Sequence, residues 1–126
     1  MTAARDSIDR TLRTMHEIEN SLDLTPAEKV AATDSLMAPG VREWTNGADS
    51  GDRNAGCERE AWVFNSFADY HRDFKQVLID PPHAAIMWRM TGTIVDTGEG
   101  YALEGASVFR FDNDSRIDEV RVFFGT

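Results

Sequence analysis

The sequence predicts an α+β fold in which three helices from the N-terminal half pack together on one face of a mostly antiparallel sheet. Three observations carry that expectation. Before residue 68, apolar residues recur at helical spacing in two stretches and a capping box starts a helix between them. Beyond residue 70 the period changes to two, and alternating runs follow one another through short turns, the pattern of an antiparallel meander. The last two runs, 102–111 and 117–124, flank Asp112-Asn113-Asp114-Ser115-Arg116, which has the composition of a hairpin turn.

Each element has its own signal. Over 7–22 the residues Ile8, Leu12, Met15, Ile18 and Leu22 form the apolar stripe of a first helix. Thr25-Pro26-Ala27-Glu28 combines an N-cap threonine, a proline at the first helical position and a glutamate three residues after the cap, so a second helix starts there as a capping box. It is expected to run to about Met37 and to stop before Pro39-Gly40. Residues 41–46 read as a short strand carrying Trp44, and 47–56, with Gly47, Gly51 and Gly56, as a long exposed loop. "CEREAWVFNSF" places Ala61, Phe64 and Phe67 at helical spacing and gives the third helix. Strands then occupy 71–79 and 84–95, separated by the turn Asp80-Pro81-Pro82-His83, and "DTGEG" leads into the closing hairpin. The predicted order is ααβαββββ.

In the hairpin, Leu103, Gly105, Ser107, Phe109 and Phe111 share one face, with Glu104, Ala106, Val108 and Arg110 on the other. Setting Arg110 opposite Glu119 pairs opposite charges outside and makes Phe109–Val120 and Ser107–Val122 cross-strand neighbours inside. Alternation adds Asp118 and Phe124 to the inner face. That face is apolar with a single hydroxyl, the composition of a small-molecule pocket.

Composition narrows the function classes. A chain of 126 residues is expected to form a single domain, 1–126. Its formal charge of −9, with no basic cluster interleaved with aromatics, argues against a nucleic-acid partner. The lone Cys57 can form neither an intrachain disulfide nor a cysteine metal site, and the three histidines lack metal-ligand spacing. No cofactor is called for. "MTAARDSIDR" lacks the apolar core of a signal peptide and no apolar run is long enough to span a bilayer, so the expectation is a cytoplasmic protein with no membrane partner.

The order of elements, together with Trp44, Gly56, "AAIMWRMTGT" and "SVFRFDNDSRIDEVRVFF", resembles the nuclear transport factor 2-like superfamily, and within it the SnoaL-like polyketide cyclases and ketosteroid isomerases. The resemblance implies a cone-shaped, strongly bent sheet whose open end holds a small apolar ligand, often in a homodimer. The catalytic residues of ketosteroid isomerases do not carry over. The closing hairpin has Ser107 where that family has its protonated aspartic acid, Met15 with His16 beside it falls near the oxyanion tyrosine, and Thr45 falls near the proton-shuttling aspartate. A hydroxyl can still donate to an oxyanion, and Glu43, two residues before Thr45, is the carboxylate that would serve as base. The limonene epoxide hydrolases resemble the chain no better: Arg89 matches their arginine, but Thr91 and Val122 stand where their two acids belong.

The remaining candidates are read residue by residue. His71 lies between Asp69 and Asp73, either as a general acid/base or as part of an exposed polar strand face. His16 points into the cone or sits solvated at its edge. Tyr70 reaches the cavity or packs in the core. On the long strand either Arg89 faces inward, requiring an acidic partner, or Trp88 and Met90 do; the second agrees with the apolar inner hairpin face. Asp118, in apolar surroundings, is a candidate for a raised pKa. Two functions follow. One is a cofactor-independent isomerase, cyclase or dehydratase acting on an apolar polycyclic or terpenoid-like compound, with catalytic Ser107, Glu43 and His71 or His16, and Met15, Trp44, Tyr70, Trp88, Met90, Leu103, Phe109, Val122, Phe124 and Asp118 binding substrate. The other is a non-catalytic small-molecule-binding or dimerisation module. The mixed outer hairpin face, Ala106, Val108 and Phe123 among Glu104, Arg110, Glu119 and Arg121, points to a homodimer.

Overall fold

A computed structural model describes residues 2–125. The elements are α1 (Thr2–Asn20), α2 (Pro26–Asp34), β1 (Met37–Thr45), β2 (Ala48–Gly51), α3 (Arg53–Ser66), β3 (His71–Asp80), β4 (His83–Thr93), β5 (Gly100–Phe111) and β6 (Ile117–Phe124). Six strands form one sheet in the order β2-β1-β6-β5-β4-β3. All pairs are antiparallel except β1 with β6. The sheet is curved and unclosed, and the three helices cover its concave side.

Local chemistry explains most boundaries. Thr25 accepts from the Glu28 backbone N–H while the Glu28 carboxylate accepts from that of Thr25, closing the capping box that starts α2. The β5–β6 turn is held by Asp112, whose Oδ1 accepts from the backbone N–H of both Asp114 and Arg116. Hairpin register matches the expectation: Arg110 is opposite Glu119, Phe109 opposite Val120 and Ser107 opposite Val122.

Four boundaries differ from the sequence reading. The second helix ends at Asp34, and Pro39 and Gly40 lie inside β1, at an irregularity between Met37 and Arg42 where a missing N–H breaks no ladder bond. The expected 47–56 loop contains a hairpin. Asn46 and Gly47 both adopt left-handed φ (49° and 86°), the two-residue turn that Asn-Gly favours, so β2 folds back onto β1 and the order becomes ααββαββββ. Asp52 caps the third helix by accepting from the Ala55 N–H, so α3 begins at Arg53 and Gly56 lies within it. On α1 the buried stripe is Ile8, Leu12, Met15 and Glu19; Leu22 lies beyond the helix and is exposed.

The core lies between this α1 stripe and the concave sheet face, where Ala84, Ile86, Trp88, Met90, Phe109, Phe111, Ile117, Val120 and Val41 pack together. Among the described residues no helix is long and apolar enough to cross a membrane.

Candidate functional site

Burial changes systematically along the concave face. On β5, Phe111, Phe109 and Ser107 are buried, whereas Gly105 and Leu103 are partly open; on β6, Ile117 and Val120 are buried, whereas Val122 and Phe124 are partly open. Phe67 and Tyr101, whose rings stack with centroids 5.6 Å apart, lie at the same end. The closed end is a packed core and the open end a rim of apolar side chains.

Trp88 stands between the two. It is 6% exposed and its Nε1–H donates to Oγ of Ser107, itself 1% exposed, at 2.9 Å. This is the serine that alternation placed alone in an apolar face; the indole N–H satisfies it, and each relieves the other of an unpaired buried polar group. The ring fits because Gly105 has no side chain: a Cβ there would fall 2.5–2.7 Å from Trp88 ring atoms and the Phe123 carbonyl. Trp88 and Met90 therefore face inward, while Arg89 faces out and pairs with Glu104.

A charged group that the sequence reading missed borders this ring. The Arg72 guanidinium lies 5.4 Å from the Trp88 ring centroid and 5.3 Å from that of Phe74. It donates through Nε and Nη2 to both carboxylate oxygens of Glu19, at 3.0 and 2.8 Å. Burial pushes the Glu19 carboxyl up, against the pull of Arg72. Next to it, Asn20 accepts from the Arg72 backbone N–H and donates to its carbonyl, tying the end of α1 to edge strand β3. Lys29 donates from Nζ to the Glu19 carbonyl at 2.7 Å and lies 5.2 Å from the Phe64 ring centroid. The available signal was the spacing 8, 12, 15, 19, which continues the α1 stripe through Glu19 rather than Ile18.

The four expected catalytic groups are not brought together. Ser107 is engaged by Trp88. Glu43, on the inner face across β6 from Phe109, is 13% exposed, packs against Gly56 of α3 and pairs with Arg59 at 2.9 Å. Desolvation holds its carboxyl above the ordinary value near 4.5, opposed by Arg59. Arg59 also donates to the Ser50 carbonyl, and beside it Arg53 bridges Glu60 and Asp34. His71 is half exposed on edge strand β3, 2.8 Å from Asp73, and Asp69 instead accepts from the Thr93 N–H. His16 lies half-buried, edge-on to Phe74 at 4.7 Å, with Nε2 3.1 Å from the Asn20 amide nitrogen.

Of the expected lining residues, Met15, Met90 and Phe109 are buried in the core, and Leu103, Val122 and Phe124 pack partly buried against it. Tyr70 packs edge-on to Phe64 at 5.2 Å, and desolvation, reinforced by Glu19, holds its hydroxyl far above its ordinary pKa. Two placements are corrected. Trp44 is on the outer face, because parallel pairing with β6 sets it beside Arg121, whose guanidinium lies 4.1 Å from its ring centroid. Asp118 is also outside: the register shifts between Arg110 and Phe111, so Asp118 is an extra residue that joins Glu119 in pairing with Arg110.

Two open concavities lie away from all of these groups. One, of about 360 Å³, lies beside Arg5, Val77, Leu78 and Val108; the other, of about 500 Å³, lies between Ile8, Pro82, Phe111 and Asn113. Among the described residues no group of three or more His, Cys, Asp or Glu side chains is placed to hold a metal ion.

Helices on the concave side of a curved, unclosed sheet, with an apolar inner face, define a ketosteroid isomerase-like fold. The chain belongs to the SnoaL-like domain family, whose model matches residues 12–120. Among solved structures it is similar to AclR, a candidate hydroxylase from Streptomyces galilaeus, at 12% identity and a TM-score of 0.82 over 95% of this chain and 76% of that one. A candidate SnoaL-like polyketide cyclase from Jannaschia sp. CCS1 matches at 16% identity and a TM-score of 0.76 over 94% and 85%. A protein with a ketosteroid isomerase-like fold from Catenulispora acidiphila, in complex with trimethylamine, matches at 14% and 0.71 over 91% and 85%. At these identities the likeness shows the fold. A comparison with curated proteins finds no match.

Removing the hydroxyl in Ser107→Ala leaves the Trp88 N–H buried without an acceptor and is expected to cost about 1–3 kcal/mol. In urea unfolding, the Ser107→Ala/Trp88→Phe double variant should lose less stability than the two single variants added together. A second prediction concerns pH. Because the Glu43 carboxyl is raised in the folded state, the native chain holds more protons than the unfolded one above pH 4.5, and this group's contribution to stability falls as pH rises through that window. Glu43→Gln removes the dependence. Paired unfolding curves at pH 4.5 and 7 should therefore show the wild type losing ground to Glu43→Gln at the higher pH.

Proposed function

We propose that this SnoaL-like chain is a small-molecule-binding module that takes an apolar terpenoid-like or aromatic compound against the open end of its concave face. The observation that carries the reading is the burial gradient. Leu103, Val122, Phe124 and Phe67 form an apolar rim over a closed core, while Ser107, Glu43, His71 and His16 are each engaged by a different partner instead of aimed at one point. The neighbour in complex with trimethylamine supports ligand binding on this fold. One observation favours catalysis instead: Glu43 is a poorly solvated carboxylate of raised basicity on the inner face, the character of a general base for isomerisation, cyclisation or dehydration.

A thermal-shift screen against terpenoids, aromatic polyketides and steroids tests both readings. Compounds that raise the melting temperature of the wild type and lose that effect in Leu103→Asp support binding at the rim. A shift that survives Leu103→Asp, or no shift with any compound, counts against it. Each stabilising compound is then incubated with protein and followed by chromatography; conversion that disappears in Glu43→Gln would replace the binding reading with the catalytic one.

The chain also forms a homodimer through the outer sheet face in this proposal. Met87, Ala106, Val108 and Phe123 make an apolar strip there, Met87 and Phe123 being exposed, and Arg110, Glu119 and Arg121 beside it carry both signs of charge. Sedimentation at micromolar concentration should show a dimer for the wild type and a monomer for Phe123→Glu; a monomeric wild type sinks the proposal.

A further inference from the structure

We propose that Trp88 is the specificity-determining residue of the concave face: its indole closes the deep half of the cone and restricts the ligand to a small planar apolar molecule lying across the rim. The inference rests on the reading of that face as a ligand site. Three constraints hold the indole in place. Its Nε1–H is bonded to Ser107 at 2.9 Å, its benzo edge occupies the gap that Gly105 leaves open, and the Arg72 guanidinium stands 5.4 Å from its centroid. Arg72 cannot swing away without abandoning both oxygens of buried Glu19.

The position of the ring gives these constraints a consequence. On β5 the residues to one side of Gly105, namely Ser107, Phe109 and Phe111, are buried, and Leu103 on the other side is partly open. The neighbours of Gly105 and Ser107 on β6 are Phe124 and Val122, both rim residues. The indole, with buried Met90 beside it on β4 opposite Leu103, therefore forms the floor beneath the rim, and an extended ligand entering edge-first would meet these two side chains before reaching Phe109 or Val120. A smaller side chain at 88 opens depth between β5 and α1 without altering the rim. Selection by length should follow, because pressing a longer molecule into a filled interior forces side chains off their rotamers and shifts the backbone.

The test uses the full chain and three phenols of increasing length, 2-naphthol, 9-phenanthrol and estradiol, with dissociation constants from titration calorimetry. Wild type is expected to bind 2-naphthol at least tenfold more tightly than estradiol, with 9-phenanthrol between. Trp88→Ala should shrink that ratio at least tenfold. Trp88→Phe, which keeps an aromatic ring in the core, should move it about threefold in the same direction, and it decides the matter if circular dichroism shows Trp88→Ala unfolded. A folded variant with an unchanged ratio overturns the role of Trp88, as does a wild type that binds estradiol as tightly as 2-naphthol. Failure of the wild type to bind any of the three is a different result: it overturns the concave-site reading itself, and this inference with it.

Discussion

A curved sheet with helices on its concave side leaves an interior too wide for aliphatic side chains alone, and here one hydrogen bond governs how that interior is filled. The indole of Trp88 spans from β4 across Gly105 to Ser107, so the bulkiest inner side chain, the smallest inner residue and the only buried hydroxyl of the β5 inner face form one unit. An apolar residue at 107 would strand the indole N–H in the core, and any side chain at 105 would collide with the ring. On β5 and β6 the inner residues deeper than Gly105 and Val122 are closed core, while on β4 the buried run continues past the ring to Met90.

The charged groups around that unit behave as supports. Glu19 and Arg72 gain little net stability from their attraction, because both had to be desolvated, but removing either would leave the other buried and unpaired. Their effect is geometric. The bidentate pair and the Asn20 amide together fasten the last turn of α1 to edge strand β3, satisfying that strand's outward-facing backbone groups at Arg72. On the other flank, Glu43 with Arg59, and Arg53 with Glu60 and Asp34, join α3 to β1 and α2. Together these carboxylates hold helices to neighbouring elements, whatever further part Glu43 plays.

Much of the fold was legible because alternation, capping and turn chemistry are local. The register of the closing hairpin follows from facing opposite charges, and the start of α2 from four consecutive residues. The misreadings share a different cause. The face on which Trp44 points is decided by parallel pairing with β6, a partner more than seventy residues away, and the position of Asp118 by a single-residue bulge that a period of two cannot register. The Asn46-Gly47 turn carried a recognisable signal, but β2 is only four residues long and shows too little alternation to stand out from a glycine-rich loop. Glu19 was hidden by its charge: the helical spacing reaches it, yet a carboxylate in an apolar stripe reads as solvent-facing until its partner on β3 is known.

The same distinction separates the fold from the site. Ser107 was singled out because a hydroxyl in an apolar strand face needs a partner, and that physical premise is correct. The partner is a neighbouring strand's indole, reached diagonally across the sheet, where a sequence can show the need but not what meets it. Family likeness pushes the inference toward a ligand or an oxyanion, since related hairpins carry a catalytic acid at the matching place. In this chain the hydroxyl and the indole N–H satisfy each other, so the group that the sequence leaves open is closed within the sheet. One pair of residues, Trp88 and Ser107, thus meets the need that the sequence raises and fixes the place of the largest ring on the inner face.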